Sequence, residues 1–390
     1  MGKLLKTIVL KPTMACNLNC KYCYESRHNE GKYLGTGFSA EKLRGWILRF
    51  AKIFPQSQIL WMFHGGEPLV TGIDYFKKFI AALREANKTF DVNYQFAIQT
   101  NATLLNEDWI KLMDDNIDLM SERVVSVSLD GTKTDNDAAR LTKQGKSSFA
   151  AVIRAMDIIN SFDVNYTTIT VVGRHNLNRA SEVYEAVKSH KPRCSKFIPC
   201  YNFDDAGNAE MLGITPLEYA NFMCKLFDLW MHDRASVTDR EFVVEPIATI
   251  ISNLVNAPVN WCEYRDEKCD NFTSIYPDGG LWLCDTFNPD TMENFAYLGN
   301  IKTLSDEELA NVFLKPVTIC EYQTLYHSLM DNCRNCDIFN FCHGGCIPQR
   351  FEMKRTSTRL FKEYCAGKHK LINYIKAGVD CALSQSETDV

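Results

Sequence analysis

The sequence predicts an α/β protein whose parallel sheet is followed by a smaller, cysteine-rich domain. Strand-like and helical patterns alternate along residues 1–235, which is typical of repeated βα units. From residue 261 this periodicity fades, and cysteines, glycines and aromatic residues dominate. Residues 236–260 form a transition with a short helical pattern, and residues 379–390 are a polar tail. We therefore expect residues 261–378 to fold around bound metal rather than around a large apolar core.

Six strand-like runs define the predicted sheet: 7–11, 58–63, 93–100, 124–129, 165–172 and 196–200. Apolar residues recur at helical spacing in 74–87 and 148–162, and Ser39 is expected to cap a helix that begins at Ala40. The resulting parallel sheet is either barrel-like or doubly wound. In both cases ligands bind beyond the carboxyl ends of the strands.

Composition and charge exclude several classes of protein. The 390 residues are 46% apolar and 23% charged, with a net charge of −5. No long basic run favours a nucleic-acid partner, and no apolar segment reaches the ~20 residues of a membrane helix. The N-terminal apolar run is broken by Lys6 and Lys11 and does not resemble a signal peptide. We therefore expect a cytoplasmic protein in which the clustered cysteines, among 16 in all, bind metal rather than form disulfides.

Four unusual stretches follow four of the predicted strands. They are the cysteine loop TMACNLNCKYCY (13–24), HGGEP (64–68), QTN (99–101) and SLDG (128–131). Because the carboxyl ends of parallel strands share one edge of a sheet, we expect these stretches to converge on one site.

The cysteine loop carries three cysteines, Cys16, Cys20 and Cys23. A structural zinc takes four ligands, so three thiols suggest a metal centre with one open position, unless His28 or His64 completes a zinc site. The spacing resembles the signature of radical S-adenosylmethionine (SAM) enzymes, and Tyr22 also matches that pattern. The resemblance implies a [4Fe–4S] cluster held by three thiolates. Its fourth iron would bind SAM, which is cleaved to a 5′-deoxyadenosyl radical.

The resemblance extends to the residues that hold SAM. The GGEP stretch is similar to the family motif that presents backbone groups to the amino group of SAM, and QTN lies near its ribose and methionine portions. A serine and an arginine in the family hold the SAM carboxylate. The corresponding residues here are Gly65, Gly66, Glu67, Gln99, Asn101, Ser128 and Arg140.

A second cysteine group reads CRNCDIFNFCHGGC at 333–346, with Cys262, Cys269 and Cys284 before it and Cys365 after it. It resembles the SPASM domain of radical SAM enzymes that modify peptides and proteins. The resemblance implies a partial (β/α)6 TIM-like barrel followed by this small iron–sulfur domain. It also implies SAM and three [4Fe–4S] clusters, of which one binds SAM and two are auxiliary. The first auxiliary cluster would use Cys262, Cys269, Cys284 and Cys346; the second would use Cys333, Cys336, Cys342 and Cys365. Two zinc ribbons are the alternative. Cys320 has no place in the pattern, and we leave its role open.

Three functions compete. The first is a maturase of a ribosomally made precursor peptide that forms a cyclophane, thioether, ether or carbon–carbon crosslink. The second is an anaerobic sulfatase-maturating enzyme, which oxidises cysteine or serine to formylglycine. In those enzymes an aspartate placed like Asp285 is the base, whereas glutamine and tyrosine stand where this chain has His64 and Glu25. These two departures favour the crosslinking enzyme. The third is a non-catalytic iron–sulfur or zinc scaffold.

The expected partners are a precursor peptide or protein substrate and an electron donor such as flavodoxin or ferredoxin. Because the predicted barrel begins almost at residue 1, we expect no leader-recognition domain before it. We therefore expect the barrel mouth, the SPASM surface or a separate protein to recognise a precursor peptide.

Overall fold

The computed structural model describes residues 4–28, 32–33, 35–162, 164–236, 242–259, 261–287, 289–315 and 320–388. The chain divides into two compact units. The first unit comprises Met1–Ser128, Leu141–Thr167 and Cys269–Leu325, and the second comprises Leu129–Arg140, Thr168–Lys268 and Tyr326–Val390. The units interleave along the chain, so they do not follow the predicted division at 236–260.

Strands and helices alternate up to residue 199, as predicted. The elements are β1 (Leu5–Leu10), β2 (Leu18–Cys20), α1 (Tyr24–His28), α2 (Ala40–Ile53), β3 (Gln58–Phe63), α3 (Ile73–Thr89), β4 (Asn93–Thr100), α4 (Glu107–Asp114), β5 (Met120–Ser128), α5 (Lys133–Ala139), β6 (Arg140–Thr142), α6 (Phe149–Ser161), β7 (Tyr166–Val172), α7 (Ala180–Ser189) and β8 (Cys194–Pro199). Each predicted strand and helix of this region is present. Ser39 caps α2, since its Oγ accepts a hydrogen bond from the backbone N of Lys42 at 3.3 Å.

The rest of the chain is more regular than its sequence suggests. The elements are α8 (Pro216–Ser236), β9 (Val243–Glu245), α9 (Ile247–Leu254), β10 (Phe272–Ile275), β11 (Gly280–Trp282), α10 (Pro289–Ala296), β12 (Tyr297–Asn300), α11 (Asp306–Leu314), α12 (Cys320–Met330), α13 (Phe339–Cys342), α14 (Ile347–Thr356) and α15 (Thr358–Thr388). Helix α15 has 31 residues, so most of the predicted polar tail at 379–390 is helical.

The first unit contains a mostly parallel sheet with the strand order β12-β11-β10-β1-β3-β4-β5. Strand β1 pairs in parallel with both β10 and β3, and β3, β4 and β5 continue the parallel arrangement. Strands β11 and β12 are antiparallel additions beside β10. The carboxyl ends of β1, β3, β4 and β5 therefore lie at one edge, where the cysteine loop, HGGEP, QTN and Ser128 are placed.

Aromatic side chains fill the core of the first unit behind this edge. Phe50 of α2 makes edge-to-face contacts with Trp61 of β3 and Phe313 of α11, at centroid distances of 5.5 and 4.7 Å. Burial of such rings is a major source of stability. The contact with α11 helps to join residues 269–325 to the first unit.

The second unit has its own core, in which β8 pairs in parallel with β9. Helices α8 and α15 contribute buried apolar side chains, among them Trp230, Ile372 and Ile375. Among the described residues, no helix combines the length and apolar character needed to cross a membrane.

Candidate active site

The cysteine loop leaves the sheet after β1 and places Cys16, Cys20 and Cys23 in half-buried positions. Two N–H groups point at the sulfur of Cys16: the backbone N of Leu18 at 3.4 Å and the side-chain amide of Asn101 at 3.7 Å. Such donors favour the thiolate form, which is the form that binds metal. No disulfide joins cysteines within the described parts of the chain.

The HGGEP loop lies directly against the cysteine loop. The backbone N of Gly66 donates to the carbonyl of Thr13 at 3.1 Å, and that of Glu67 donates to the carbonyl of Ala15 at 2.8 Å. A Cβ at Gly66 would lie 2.2 Å from the oxygen of Ala15. Glycine is therefore required here because the two backbones approach so closely.

The Glu67 carboxylate joins the HGGEP loop to the end of β4. It is 1% exposed. Its Oε1 accepts hydrogen bonds from the backbone N of Leu69 at 3.0 Å and the hydroxyl of Thr100 at 2.7 Å, and Oε2 accepts one from the backbone N of Asn101 at 2.8 Å. The carboxylate thus fixes two loops, while the backbone of the glycine pair lies beside the cysteines.

Asn101 connects the end of β4 to the cysteine loop by further hydrogen bonds. Besides Cys16, its side-chain amide donates to Oδ1 of Asn17 at 2.9 Å, and its Oδ1 accepts from the hydroxyl of Thr103 at 2.6 Å. Gln99 and Ser128 are half-buried at the carboxyl ends of the neighbouring strands β4 and β5. The first unit therefore brings Cys16, Gly66, Asn101 and Ser128 to one edge of its sheet.

Two further predicted SAM-binding residues have different settings. Tyr22 is half-buried in the cysteine loop. Arg140 is buried at the start of β6 and belongs to the second unit. Their roles remain predictions.

Tyr24 connects the cysteine loop to the loop after β11. Its hydroxyl donates a hydrogen bond to Oδ2 of Asp285 at 3.2 Å. Burial, reinforced by the nearby carboxylates of Glu25 and Asp285, raises the pKa of Tyr24 well above its usual value, so the hydroxyl stays protonated and donates. The residue after Cys23 thus contacts the residue after Cys284.

A buried charged cluster stands beside this contact. The ammonium of Lys11 is 2.6 Å from Oε1 of Glu25, donates to the hydroxyl of Tyr276 at 3.0 Å and lies 4.2 Å from the centre of that ring. Nδ1 of His64 is 3.4 Å from the same Oε1. Burial opposes ionisation of Glu25, but Lys11 and His64 more than offset it and lower its pKa to about 2.

Sequence reasoning noted His64 and Glu25 separately but missed the Lys11–Glu25–His64 cluster. Its three members are the residue after β1, a residue of α1 and the residue after β3, so their proximity depends on the parallel sheet. The available signal was Lys11, a lysine that directly follows the apolar residues Ile8, Val9 and Leu10. His64 lies against Glu25, and the side chain of His28 is outside the described residues.

In the second unit, Cys333, Cys336, Cys342 and Cys365 line one cavity of about 200 Å³. This is the predicted ligand set of the second auxiliary cluster. Burial raises the pKa of Cys342 and of Cys365 and so disfavours their thiolate forms, which a bound metal would stabilise. Four thiols that line one cavity fit a four-thiolate iron–sulfur cluster by number and chemistry, and a zinc site remains the alternative.

The other predicted auxiliary set is divided between the units. Cys262 and Cys346 belong to the second unit, where Nζ of Lys268 donates to the carbonyl of Cys262 at 3.2 Å. Cys269 and Cys284 belong to the first unit, where the backbone N of Thr286 donates to the sulfur of Cys284 at 3.3 Å. This set remains a prediction, and the side chain of Cys320 is outside the described residues.

Comparison with known proteins gives consistent results. Residues 10–187 match the model of the Radical SAM superfamily. The chain is 31% identical over 345 residues to the cysteine-type anaerobic sulfatase-maturating enzyme of Clostridium novyi, covering 87% of each chain. It is 23% identical over 392 residues to the serine-type enzyme of Bacteroides thetaiotaomicron, covering 96% of this chain and 90% of that enzyme.

The fold is similar to that of anSMEcpe solved with bound AdoMet and the Cp18Cys peptide. The TM-score is 0.78 at 22% sequence identity, and the match covers 97% of this chain and 99% of that one. The predicted α/β fold and the predicted resemblance are thereby confirmed, and membership of the superfamily implies a [4Fe–4S] cluster and SAM. The chain belongs to the radical SAM superfamily and, within it, to the family of the anaerobic sulfatase-maturating enzymes.

Proposed function

We propose that this chain oxidises a cysteine or serine side chain of a peptide or protein to formylglycine. The relatives that it matches over most of its length are named for sulfatase maturation, in both cysteine-type and serine-type forms. The single observation that carries the proposal is the hydrogen bond from Tyr24 to Asp285. It sets a carboxylate beside the residue that follows Cys23, which is where a base would be needed.

The residues of the first unit fit the cofactor that the family implies. Cys16, Cys20 and Cys23 would hold the cluster, and the backbone of Gly65 and Gly66 would meet the amino group of SAM. When bound, the cluster and SAM supply a 5′-deoxyadenosyl radical that removes one hydrogen atom from the substrate. Glu67 and Asn101 fix the positions of the glycine pair and the cysteine loop through the hydrogen bonds described above.

Asp285 would take the second hydrogen of the substrate as a proton. For a cysteine substrate, the loss of one hydrogen atom, one proton and one electron yields a thioaldehyde, which water converts to the aldehyde with release of sulfide. For a serine substrate the same losses yield the aldehyde directly. The Tyr24 hydroxyl, by donating to Oδ2, would hold the carboxylate in one orientation. The remaining electron would be accepted at the predicted auxiliary sites.

Crosslinking of a precursor peptide is the second candidate. The Lys11–Glu25–His64 cluster favours it, because Glu25 and His64 replace the tyrosine and glutamine of sulfatase maturases and are joined in a buried ion-paired group. Different side chains at these two positions favour a different substrate. The named functions of the relatives nevertheless favour formylglycine formation.

The test is an anoxic reaction of reconstituted enzyme with SAM, a reductant such as reduced flavodoxin, and matched peptides that present either cysteine or serine. We expect 5′-deoxyadenosine together with a product aldehyde that reacts with a hydrazide reagent. A serine aldehyde and a crosslink both lack two hydrogens, so the hydrazide distinguishes them. A hydrazide-inert product would support crosslinking, and absence of 5′-deoxyadenosine would support the scaffold.

A further inference from the structure

A histidine of α15 lies at the cavity formed by Cys333, Cys336, Cys342 and Cys365. His369 follows Cys365 by four residues, so both side chains project from the same face of the helix, and both line the cavity. Nε2 of His369 is 3.3 Å from the sulfur of Cys336. The predicted ligand therefore has an imidazole nitrogen within hydrogen-bonding distance.

The chemistry of the pair fixes the direction of this hydrogen bond once metal is bound. A metal-bound thiolate has no proton and acts only as an acceptor, so Nε2 must carry the hydrogen. Nδ1 of His369 is 3.5 Å from Oδ1 of Asp337. The exposed carboxylate of Asp337 thus lies near the second ring nitrogen, and the hydrogen bond to Cys336 depends on Nε2 alone.

A second donor lies near another sulfur of the same cavity. The buried guanidinium of Arg350 places Nη1 at 3.9 Å from the sulfur of Cys365 and 3.0 Å from the carbonyl of Gly344. It also donates to the carbonyl of Leu329. Arg350 is 1% exposed, whereas the His369 side chain is 37% exposed. His369 can therefore be substituted with less disturbance of the fold.

We propose that His369 donates a hydrogen bond from Nε2 to the sulfur of Cys336 and thereby raises the reduction potential of the cluster predicted at Cys333, Cys336, Cys342 and Cys365. Reduction adds negative charge to the cluster and its sulfurs, so a donor stabilises the reduced state more than the oxidised state. His369 is a positioning residue for the electron-accepting site. This role does not depend on which product the enzyme makes.

The experiment uses the full chain with Cys16, Cys20 and Cys23 all replaced by alanine, so that only the auxiliary clusters contribute to the signal. In this background His369→Phe keeps an aromatic ring but removes the donor, and His369→Gln keeps an N–H donor. His327→Phe is the matched control, because His327 is an exposed histidine of α12. Iron content and EPR-monitored redox titrations are measured for each protein.

We expect His369→Phe to lower one of the two auxiliary midpoint potentials and leave the other unchanged. The expected change is a tenfold or larger decrease in the equilibrium constant for one-electron reduction, which corresponds to about 59 mV. His369→Gln should recover most of this difference, and His327→Phe should match the parent. Unchanged potentials in a fully loaded His369→Phe protein would overturn the proposal. Equal shifts in His369→Phe and His369→Gln would do the same.

A measurement on the histidine-containing protein covers the case in which His369→Phe fails to load iron. With ¹⁵N-labelled histidine, pulsed EPR of the reduced protein should detect a weak nitrogen coupling to one cluster. The coupling should disappear in His369→Gln and persist in His327→Phe. If the parent shows no such coupling, the proposed hydrogen bond is absent.

Discussion

Asp285 directly follows the predicted cluster ligand Cys284 and accepts a hydrogen bond from Tyr24, which follows the predicted ligand Cys23. Its neighbour Tyr24 is held in turn by packing, with its ring stacked at 6.2 Å from that of His64. The carboxylate is therefore fixed by side chains from separate parts of the sequence. Such preorganisation is what a base needs if it is to act on a bound substrate.

Replacing Asp285 by asparagine should separate radical formation from product formation. The amide keeps the size of the side chain but cannot take a proton, and general-base catalysis typically contributes 100-fold or more. We expect 5′-deoxyadenosine to form while the aldehyde yield falls about 100-fold. Tyr24→Phe, which removes only the donor, should lower that yield about tenfold.

Both products are quantified by mass spectrometry in the same reaction. Asp290→Asn, at an exposed position of α10, is the matched control and should behave as the parent. If Asp285→Asn retained the parental ratio of aldehyde to 5′-deoxyadenosine, Asp285 would not be the base.

Lys6 of β1 makes the free energy of unfolding depend on pH. It is 8% exposed, and its ammonium donates to the carbonyl of Asp270 at 2.6 Å. Burial lowers the pKa of Lys6 to about 8 from 10.5, and the charge of Asp270 opposes this only in part. Between these values the unfolded chain holds the proton that the folded chain has lost, so the free energy of unfolding should rise with pH.

The full rise corresponds to about 3 kcal/mol between pH 8 and 10.5. Urea unfolding at pH 8 and pH 10 should show it in the parent protein. Lys6→Met should remove it, and Lys77→Met, whose side chain is 57% exposed, should preserve it. An identical pH dependence in the parent and in Lys6→Met would contradict the assignment to Lys6.

At the scale of elements, the HGGEP loop determines where the cysteine loop can lie. Gly66→Ala would force the two backbones apart, because the added Cβ would lie 2.2 Å from the oxygen of Ala15. We expect loss of the iron of the N-terminal cluster and of SAM cleavage, with the auxiliary iron retained. Iron analysis and the yield of 5′-deoxyadenosine measure both effects.

Gly45→Ala is the control for that substitution. Gly45 lies within α2 with open space around the position of a Cβ, so alanine should stabilise the helix by about 1 kcal/mol and leave the iron unchanged. If Gly66→Ala bound iron and cleaved SAM like the parent, the close approach of the loops would not matter for the cluster.

The elements also differ in how far their sequences predict them. Strands β3 and β4 have the predicted bounds, 58–63 and 93–100, because both are rich in apolar and aromatic residues and begin with a polar residue. Strand β10 was missed. It has four residues in a cysteine-rich segment and is stabilised by parallel pairing with β1, in which Thr7 lies opposite Phe272. A short local pattern does not reveal such a distant partner.

Helix α15 was missed for a related reason. Its apolar face includes Leu371, Ile372 and Ile375, but these are spread among lysines and small residues. They form a face only when α8 covers them. Tertiary packing, rather than local helix propensity, therefore stabilises this segment as a helix.

At the scale of the whole molecule, the sequence did not indicate how the chain divides into two interleaved compact units. Cys269 and Cys284 belong to the first unit, because β10 to β12 extend its sheet. The sequence alone placed them in a separate domain from residue 261. The buried Lys11–Glu25–His64 cluster could not be predicted from the sequence either, since its members are distant in sequence and none of them indicates a cluster by itself.

The central claim is that a SAM-derived radical and a protein base together convert a side-chain CH₂ group to an aldehyde. The most direct measurement is an anoxic reaction with a peptide whose target cysteine or serine is doubly deuterated at Cβ. The account predicts one deuterium in 5′-deoxyadenosine and the other in a hydrazide-reactive peptide aldehyde. Deuterium-free 5′-deoxyadenosine, or a product with both deuterium atoms retained, would contradict it.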